Sequence, residues 1–497
     1  MNESFKNLKT LSSELFDLCR IRELLGWDQE VYMPSGAAEG RGEQIATLSV
    51  LIHQKQSSSE MAKLLESSSD ELNSNPTNYS DSEKALVRVM KRSYDHATKI
   101  PESFVSESNK IISVAIATWV QARKNNNYAL YAPYLEKIVD LNIKQAEYLG
   151  YKEHPLDALL DLFEEGLKTK DIEVVFEKIK EPLIEILNEC KNDWSDELHI
   201  SPTMEECDQI EFSKKILTKI GFDFSRGRLD TTIHPFMTSL GHNDRRVTSR
   251  YNPNQVEFLF SALHEGGHAL YEQGIGQDIA RSMLDEGVSL GIHESQSRFW
   301  ENIVGRSRLF WETNYTQLQE AFPEQFKKYS IDEFYKRINR VKPDFIRVDA
   351  DELTYNLHIL IRFEIEKAMI EGSLKVKDAP EVWRVLYKKY LGLDIPNDTV
   401  GILQDVHWAH GTIGYFATYT LGNLASAQIW NTYKKHDPAF RETIRSGNLE
   451  KVRLWLCENI YQHGSVYKPD ELILRISGES LNPNYLIEYL REKYIGK

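Results

Sequence analysis

Ile138 to Leu149 reads IVDLNIKQAEYL, with Ile138, Leu141, Ile143, Ala146 and Leu149 apolar. The apolar positions recur every two to three residues and gather on one side of a 3.6-residue turn, the period of an amphipathic helix and not the two-residue alternation of a strand. Similar patterns recur to either side. With only 16 prolines and 26 glycines in 497 residues, breakers fall below their usual combined share of about 12%. The sequence therefore predicts a mainly α-helical protein. Breakers gather at Met33–Gly42 (MPSGAAEGRG), Ser67–Ser82 (SSSDELNSNPTNYSDS), Asp193–Pro202 and Gly221–Pro253. Ser67–Ser82 is read as a solvated loop, because helices of the same type resume on both sides. Short Thr/Val/Ile pieces between Arg226 and Arg250, punctuated by Pro235 and Gly241, predict a small β-sheet. No internal repeat or compositional shift divides the chain, so residues 1–497 are read as one domain.

A composition of 41% hydrophobic and 27% charged residues is that of a folded globular protein. The net charge of -15 argues against nucleic acid as a partner, since phosphate-backbone attraction needs the opposite sign. No run of about 18 apolar residues is present, and Met1 to Ser13 (MNESFKNLKTLSS) lacks the hydrophobic segment of an export leader. No membrane span is therefore expected, and a cytoplasmic location is. Cys19, Cys190, Cys207 and Cys457 are widely separated with no CxxC pair, which fits neither a disulfide framework nor a thiolate zinc site. Any metal must then be held by His and carboxylate.

Gln255 to Tyr271 reads QVEFLFSALHEGGHALY. His264 and His268, four apart on a helix, lie on one face about 6 Å apart at Cβ and can share a cation. Glu265 follows the first histidine and is placed to take a proton from water held there. Catalytic zinc sites keep three protein ligands. No third histidine continues the motif, so the third ligand is expected to be a carboxylate among Asp285, Glu286, Glu294 and Glu301. Glu294 is preferred, because it begins a helical segment able to return after the Gly274–Gly287 turn region. The small sheet predicted upstream would lie beside this helix.

Over nearly its whole length the sequence resembles the carboxypeptidase Taq family, metallocarboxypeptidases that carry HExxH. The family's HPF appears as His234-Pro235-Phe236, its DxRxT as Asp244 to Thr248, HExxH as His264 to His268, and HES with its Gln as His293 to Gln296. IRxxAD appears as Ile346 to Asp351, GxxQDxHW as Gly401 to Trp408, and Trp27-Asp28-Gln29 with Met33-Pro34 and Gly36 to Glu39 is similar to the family's N-terminal segment. Two departures, Ala417 where relatives commonly have Pro and the His154-Pro155-Leu156 stretch, touch no proposed ligand. The resemblance implies that His264, His268 and Glu294 bind one Zn²⁺ per chain, with Co²⁺ as an alternative, and that Glu265 is the general base. It also implies a nearly all-helical fold with a long central groove, a small sheet at its edge, and a homodimer.

A carboxypeptidase must recognise the free α-carboxylate of its peptide substrate, which the planar fork of an arginine meets with two parallel hydrogen bonds. Arg347 in the IRxxAD match is the first candidate, with Asp349 and Asp351 placed to orient it by pairing, and Arg246 is an auxiliary. His407, Tyr415 and Tyr419, in QDVHWAHGTIGYFATYTLG, are candidate donors to the oxyanion. His234 is a candidate to line the substrate site, and His293 to support a ligand. The function expected is hydrolytic removal of C-terminal amino acids from peptides. A related helical HExxH oligopeptidase or dipeptidase would share the metal site but lack the carboxylate grip, and a non-catalytic helical scaffold would lack the metal.

Overall fold

The computed structural model describes residues 3–190 and 197–496. Among them are 21 α-helices and one three-stranded sheet, as the helical periodicity and the Arg226–Arg250 stretch predict. The chain forms two compact units, each assembled from three separated stretches: Met1–Thr98, Leu198–Ile338 and Ile429–Ser480 in the first, Lys99–Glu197, Asn339–Gln428 and Leu481–Lys497 in the second. No helix among the described residues is long and apolar enough to cross a membrane.

In the first unit Phe5, Leu8 and Leu15 pack with Met61 and Met90 from neighbouring helices, closed by Ile275, Ile279 and Leu284. One expectation is corrected here. The Ser67–Ser82 run is helical as far as Ser74, because the Ser59–Ser74 helix is capped by Ser58, whose hydroxyl accepts the Met61 N–H, and buries Met61, Leu65 and Ser68 along one stripe. The polar residues that read as a loop are that helix's wet face, and the chain is non-α-helical only over residues 75–80. The Met33–Gly42 run likewise yields early, to a helix from Ala38 to Gln56. Of the Asp193–Pro202 run, residues 193–196 lie outside the described residues, and 197–202 carry no helix or strand.

Strands β1 (Gly227–Thr231), β2 (Met237–Gly241) and β3 (Asp244–Ser249) form the sheet in the order β1-β3-β2, β1 parallel and β2 antiparallel to β3. Ser249 Oγ donates to Ser261 Oγ of the Glu257–Gln273 helix at 3.4 Å. Period-two alternation then turns Arg245 and Val247, both fully buried, to that helix and Arg246 to the opposite face. There the Arg246 guanidinium lies 4.2 Å over the Trp27 ring.

The second unit is centred on the Glu352–Ile370 helix, which is buried over most of its length although Asn356, His358, Arg362 and Glu366 stand among its apolar residues. Leu135, Ile138, Leu183, Trp383 and Trp408 belong to its core. Within that core Glu366 accepts from Trp408 Nε1 at 2.8 Å and from the Gly414 N–H at 3.2 Å. Burial pushes its carboxyl up to about 8. The Asn484–Ile495 helix adds Leu486 and Leu490 to the same core, and Lys493 Nζ and the Tyr494 hydroxyl both donate to Glu352 Oε2, at 2.6 and 2.8 Å.

Candidate active site

Two helices of the first unit carry the site. The Glu257–Gln273 helix presents His264, Glu265 and His268, and the Leu290–Arg298 helix, capped by Ser289, presents Glu294 before passing into a π-helical turn, Phe299–Gly305, that holds Glu301. The glycines inside HEGGH let neighbouring elements press against the motif. A Cβ on Gly267 would stand 2.5 Å from the Gln296 carbonyl oxygen and one on Gly266 2.5 Å from Leu217 Cδ2. The helix that brings Glu294 therefore packs backbone-close against the helix that brings the histidines.

Glu294 Oε2 lies 3.6 Å from His264 Nε2 and 3.5 Å from His268 Nε2, and the three donor atoms fall within 4.8 Å of one another. Ligands about 2.0–2.1 Å from a tetrahedral Zn²⁺ stand roughly 3.3–3.5 Å apart, so two imidazoles and one carboxylate oxygen here fit a divalent cation with a fourth position to spare. The far side of each imidazole is also occupied. His264 Nδ1 is 2.9 Å from Glu301 Oε2, and His268 Nδ1 is 2.6 Å from His293 Nδ1, whose Nε2 is 3.1 Å from Glu272 Oε1. Such partners fix which nitrogen a ligand histidine turns to its cation. Arg298 spans both acids, donating from Nε to Glu294 Oε1 at 2.6 Å and from Nη1 to Glu301 Oε2 at 3.2 Å. It leaves Glu294 Oε2 as the oxygen that faces the histidines.

The protein's own charges divide these groups sharply. Burial, reinforced by the nearby Glu294 and Glu301 charges, raises Glu265 to about 7. Burial opposes the charged form of Glu294 too, but the Arg298 and His264 charges outweigh it and hold that carboxyl well below its usual range. Burial and the neighbouring imidazoles lower His268 to about 3, whereas the Glu294 charge and the Glu301 hydrogen bond overcome burial at His264 and raise it to about 8.

The other third-ligand candidates are engaged elsewhere. Asp285 accepts from Arg245 at 2.7 Å and meets His242 Nδ1 at 3.1 Å, and Glu286 accepts from Arg20 at 3.1 Å. Arg246, in the first unit, is held by both oxygens of Asp244 at 2.9 and 2.8 Å. His234 is exposed between β1 and β2, its carbonyl accepting from the Thr232 hydroxyl.

Arg347, His407, Tyr415 and Tyr419 gather in the second unit. Arg347 is buried; its Nε and Nη2 donate to Asp405 Oδ1 at 3.0 and 2.8 Å, and its Nη1 to the Tyr355 hydroxyl at 2.8 Å. Among the described residues these bonds leave one N–H on each terminal nitrogen uncommitted. Asp351 spends its oxygens capping the Glu352–Ile370 helix and accepting the Lys342 N–H. Asp405 Oδ2 accepts from Arg362 Nε at 2.7 Å. The Tyr419 ring lies 5.2 Å from the Arg347 guanidinium, and its hydroxyl is 3.5 Å from His407 Nε2. The Tyr415 and His407 rings are 5.4 Å apart. Burial lowers His407 to about 4, so it is neutral near pH 7.

Sequence reasoning gave no role to Arg298, Glu272 or Asp405. The signal for Arg298 was its place four residues after Glu294 and three before Glu301, on their helix face. Glu272 stands four after His268, and Asp405 was in view inside GxxQDxHW.

The profile of the carboxypeptidase Taq (M32) metallopeptidases matches residues 7–494. The chain is 40% identical to carboxypeptidase 1 of Bacillus subtilis (strain 168) over 497 residues, covering 98% of both chains. It is 40% identical to thermostable carboxypeptidase 1 of Pyrococcus furiosus over 504 residues, covering 99% of both. The crystal structure of the M32 carboxypeptidase from Deinococcus radiodurans R1 superposes with a TM-score of 0.95 at 37% identity, again over 99% of each chain. A donor set fit for a divalent cation, carried on a fold shared end to end with these enzymes, places the chain in the M32 family: it belongs to the carboxypeptidase Taq metallopeptidases and is a metallocarboxypeptidase, a peptide hydrolase.

Proposed function

We propose that this enzyme removes C-terminal amino acids from peptides with a free C-terminus, working as one domain over residues 1–497 with His264, His268 and Glu294 holding one Zn²⁺ or Co²⁺. The observation that carries the reading is the convergence of two imidazole nitrogens on Glu294 Oε2 at 3.6 and 3.5 Å beside the buried Glu265. The cation, when bound, supplies a Lewis acid that polarises the scissile carbonyl and acidifies water. Glu265 takes the proton of the attacking water and returns it to the leaving amine. Arg298 keeps Glu294 ionised and aimed.

Arg347 receives the substrate's α-carboxylate through its uncommitted N–H groups, with Asp405 and Tyr355 holding the guanidinium plane. Arg246 assists it, His234 lines the substrate site, and His407, Tyr415 and Tyr419 supply donors to the oxyanion. The enzyme is proposed to act in the cytoplasm as a homodimer.

A mass-spectrometric time course on matched peptides tests the reading. A free-acid peptide is expected to lose single C-terminal residues in succession, and its C-terminally amidated twin to be cut far more slowly, because amidation removes the anion that Arg347 grips. N-terminal acetylation is expected to matter little. Equal cleavage of the two, or internal fragments before any single residue is released, would instead mark an oligopeptidase.

A further inference from the structure

We infer that Glu272 is a positioning residue for His268: acting through the ring of His293, it fixes the nitrogen that His268 turns to the cation. The inference rests on the metal site proposed above. His268 Nε2 faces Glu294 Oε2 at 3.5 Å, so a cation there is met by Nε2 and the ring hydrogen of neutral His268 sits on Nδ1. That nitrogen lies 2.6 Å from His293 Nδ1, a separation two donors cannot share. His293 Nδ1 must accept, and the hydrogen of neutral His293 sits on Nε2. Its acceptor is Glu272 Oε1 at 3.1 Å. The tautomers of both rings thus follow from one carboxylate.

Glu272 is built to hold still. It is buried, its Oε1 also accepts the Gly287 N–H at 2.7 Å, and its Oε2 stands 3.5 Å from Nε of the fully buried Arg245. Arg245 is anchored in turn by Asp285 at 2.7 Å. Gly287 also walls the His293 ring, since a Cβ there would lie 2.5 Å from His293 Cδ2. Without an acceptor at Glu272, His293 is free to carry its hydrogen on Nδ1. His268 would then have to move its own hydrogen to Nε2, the nitrogen a cation needs bare. His264 has a separate support in Glu301, so the loss would fall on one ligand.

The test uses the full-length protein, Zn²⁺ competed against a chromophoric chelator, and the visible absorption of the Co²⁺-loaded form. Glu272→Met keeps the length of the side chain but removes the acceptor that the His293 ring meets, and is expected to weaken Zn²⁺ binding about 10–100-fold and to shift the cobalt bands. His293→Asn, which cuts the relay in the middle, is expected to do the same if Glu272→Met does not fold. A folded variant with unchanged affinity and cobalt spectrum overturns the inference, and so does weaker binding with unshifted bands, which reports general loosening. Failure of the unmodified protein to take up one Zn²⁺ per chain overturns the metal-site reading itself.

Discussion

At the scale of single residues, identity and orientation do different work. Glu265 and Glu294 are both buried carboxyls, yet one is held near 7 and the other well below its usual range because only Glu294 has Arg298 against it. Glu265→Gln is therefore expected to lower kcat by about 10²–10⁴-fold, the usual worth of general acid–base assistance, while atomic emission still finds one zinc per chain. Glu294→Ala is expected to lose most bound zinc. Glu301→Ala should keep the stoichiometry and loosen the site, since Glu301 meets His264 at Nδ1, the nitrogen turned away from Glu294. Full zinc in Glu294→Ala together with loss in Glu301→Ala would reverse that assignment. Sequence spacing was enough to place His264 and His268 together on one helix, because i,i+4 geometry is local. The preference for Glu294 over Glu301, two acids seven apart on one helical face, rested on where the returning helical segment begins; the structure adds which imidazole nitrogen each acid reaches.

Elements were legible where one local signal dominated. The period of Ile138–Leu149 and the Pro/Gly punctuation around β1 to β3 are such signals. Ser67–Ser74 was misread because a polar helix face and a polar loop share a composition, and only the Ser58 cap and the buried Met61–Leu65–Ser68 stripe separate them. The packing that sets the ligand distances is also an element-scale property, and it turns on Gly267. Gly267→Ala is expected to cost about 1–3 kcal/mol, the usual range for overpacking, and to weaken zinc binding, because its Cβ would displace the backbone at Gln296 and Ser297 and with it Glu294. Chemical denaturation and zinc competition on the same variant check both effects. Unchanged stability would mean that the two helices separate freely.

At the scale of the whole molecule, each unit buries carboxyl groups of its own. In the second, Glu366 keeps its proton to about 8 against an ordinary 4.5. The unfolded chain binds fewer protons between those values, so the stability this group contributes is complete below the lower one and is lost as pH rises through the upper one. Thermal melts are expected to show wild-type stability falling relative to Glu366→Gln across that interval, by on the order of a few kcal/mol. Parallel pH courses would mean that Glu366 is ionised throughout. The threading of the two units carries a different consequence, for synthesis. Each unit takes its three stretches alternately along the chain, so a ribosome delivers residues 99–197 of the second unit long before the Asn484–Ile495 helix that supplies Leu486, Leu490 and the Lys493 partner of Glu352. Until that helix emerges, the part of the second unit's core that Leu486 and Leu490 complete and the Glu352 carboxylate lack those partners, so that unit can finish folding only after the last stretch of the chain has been made.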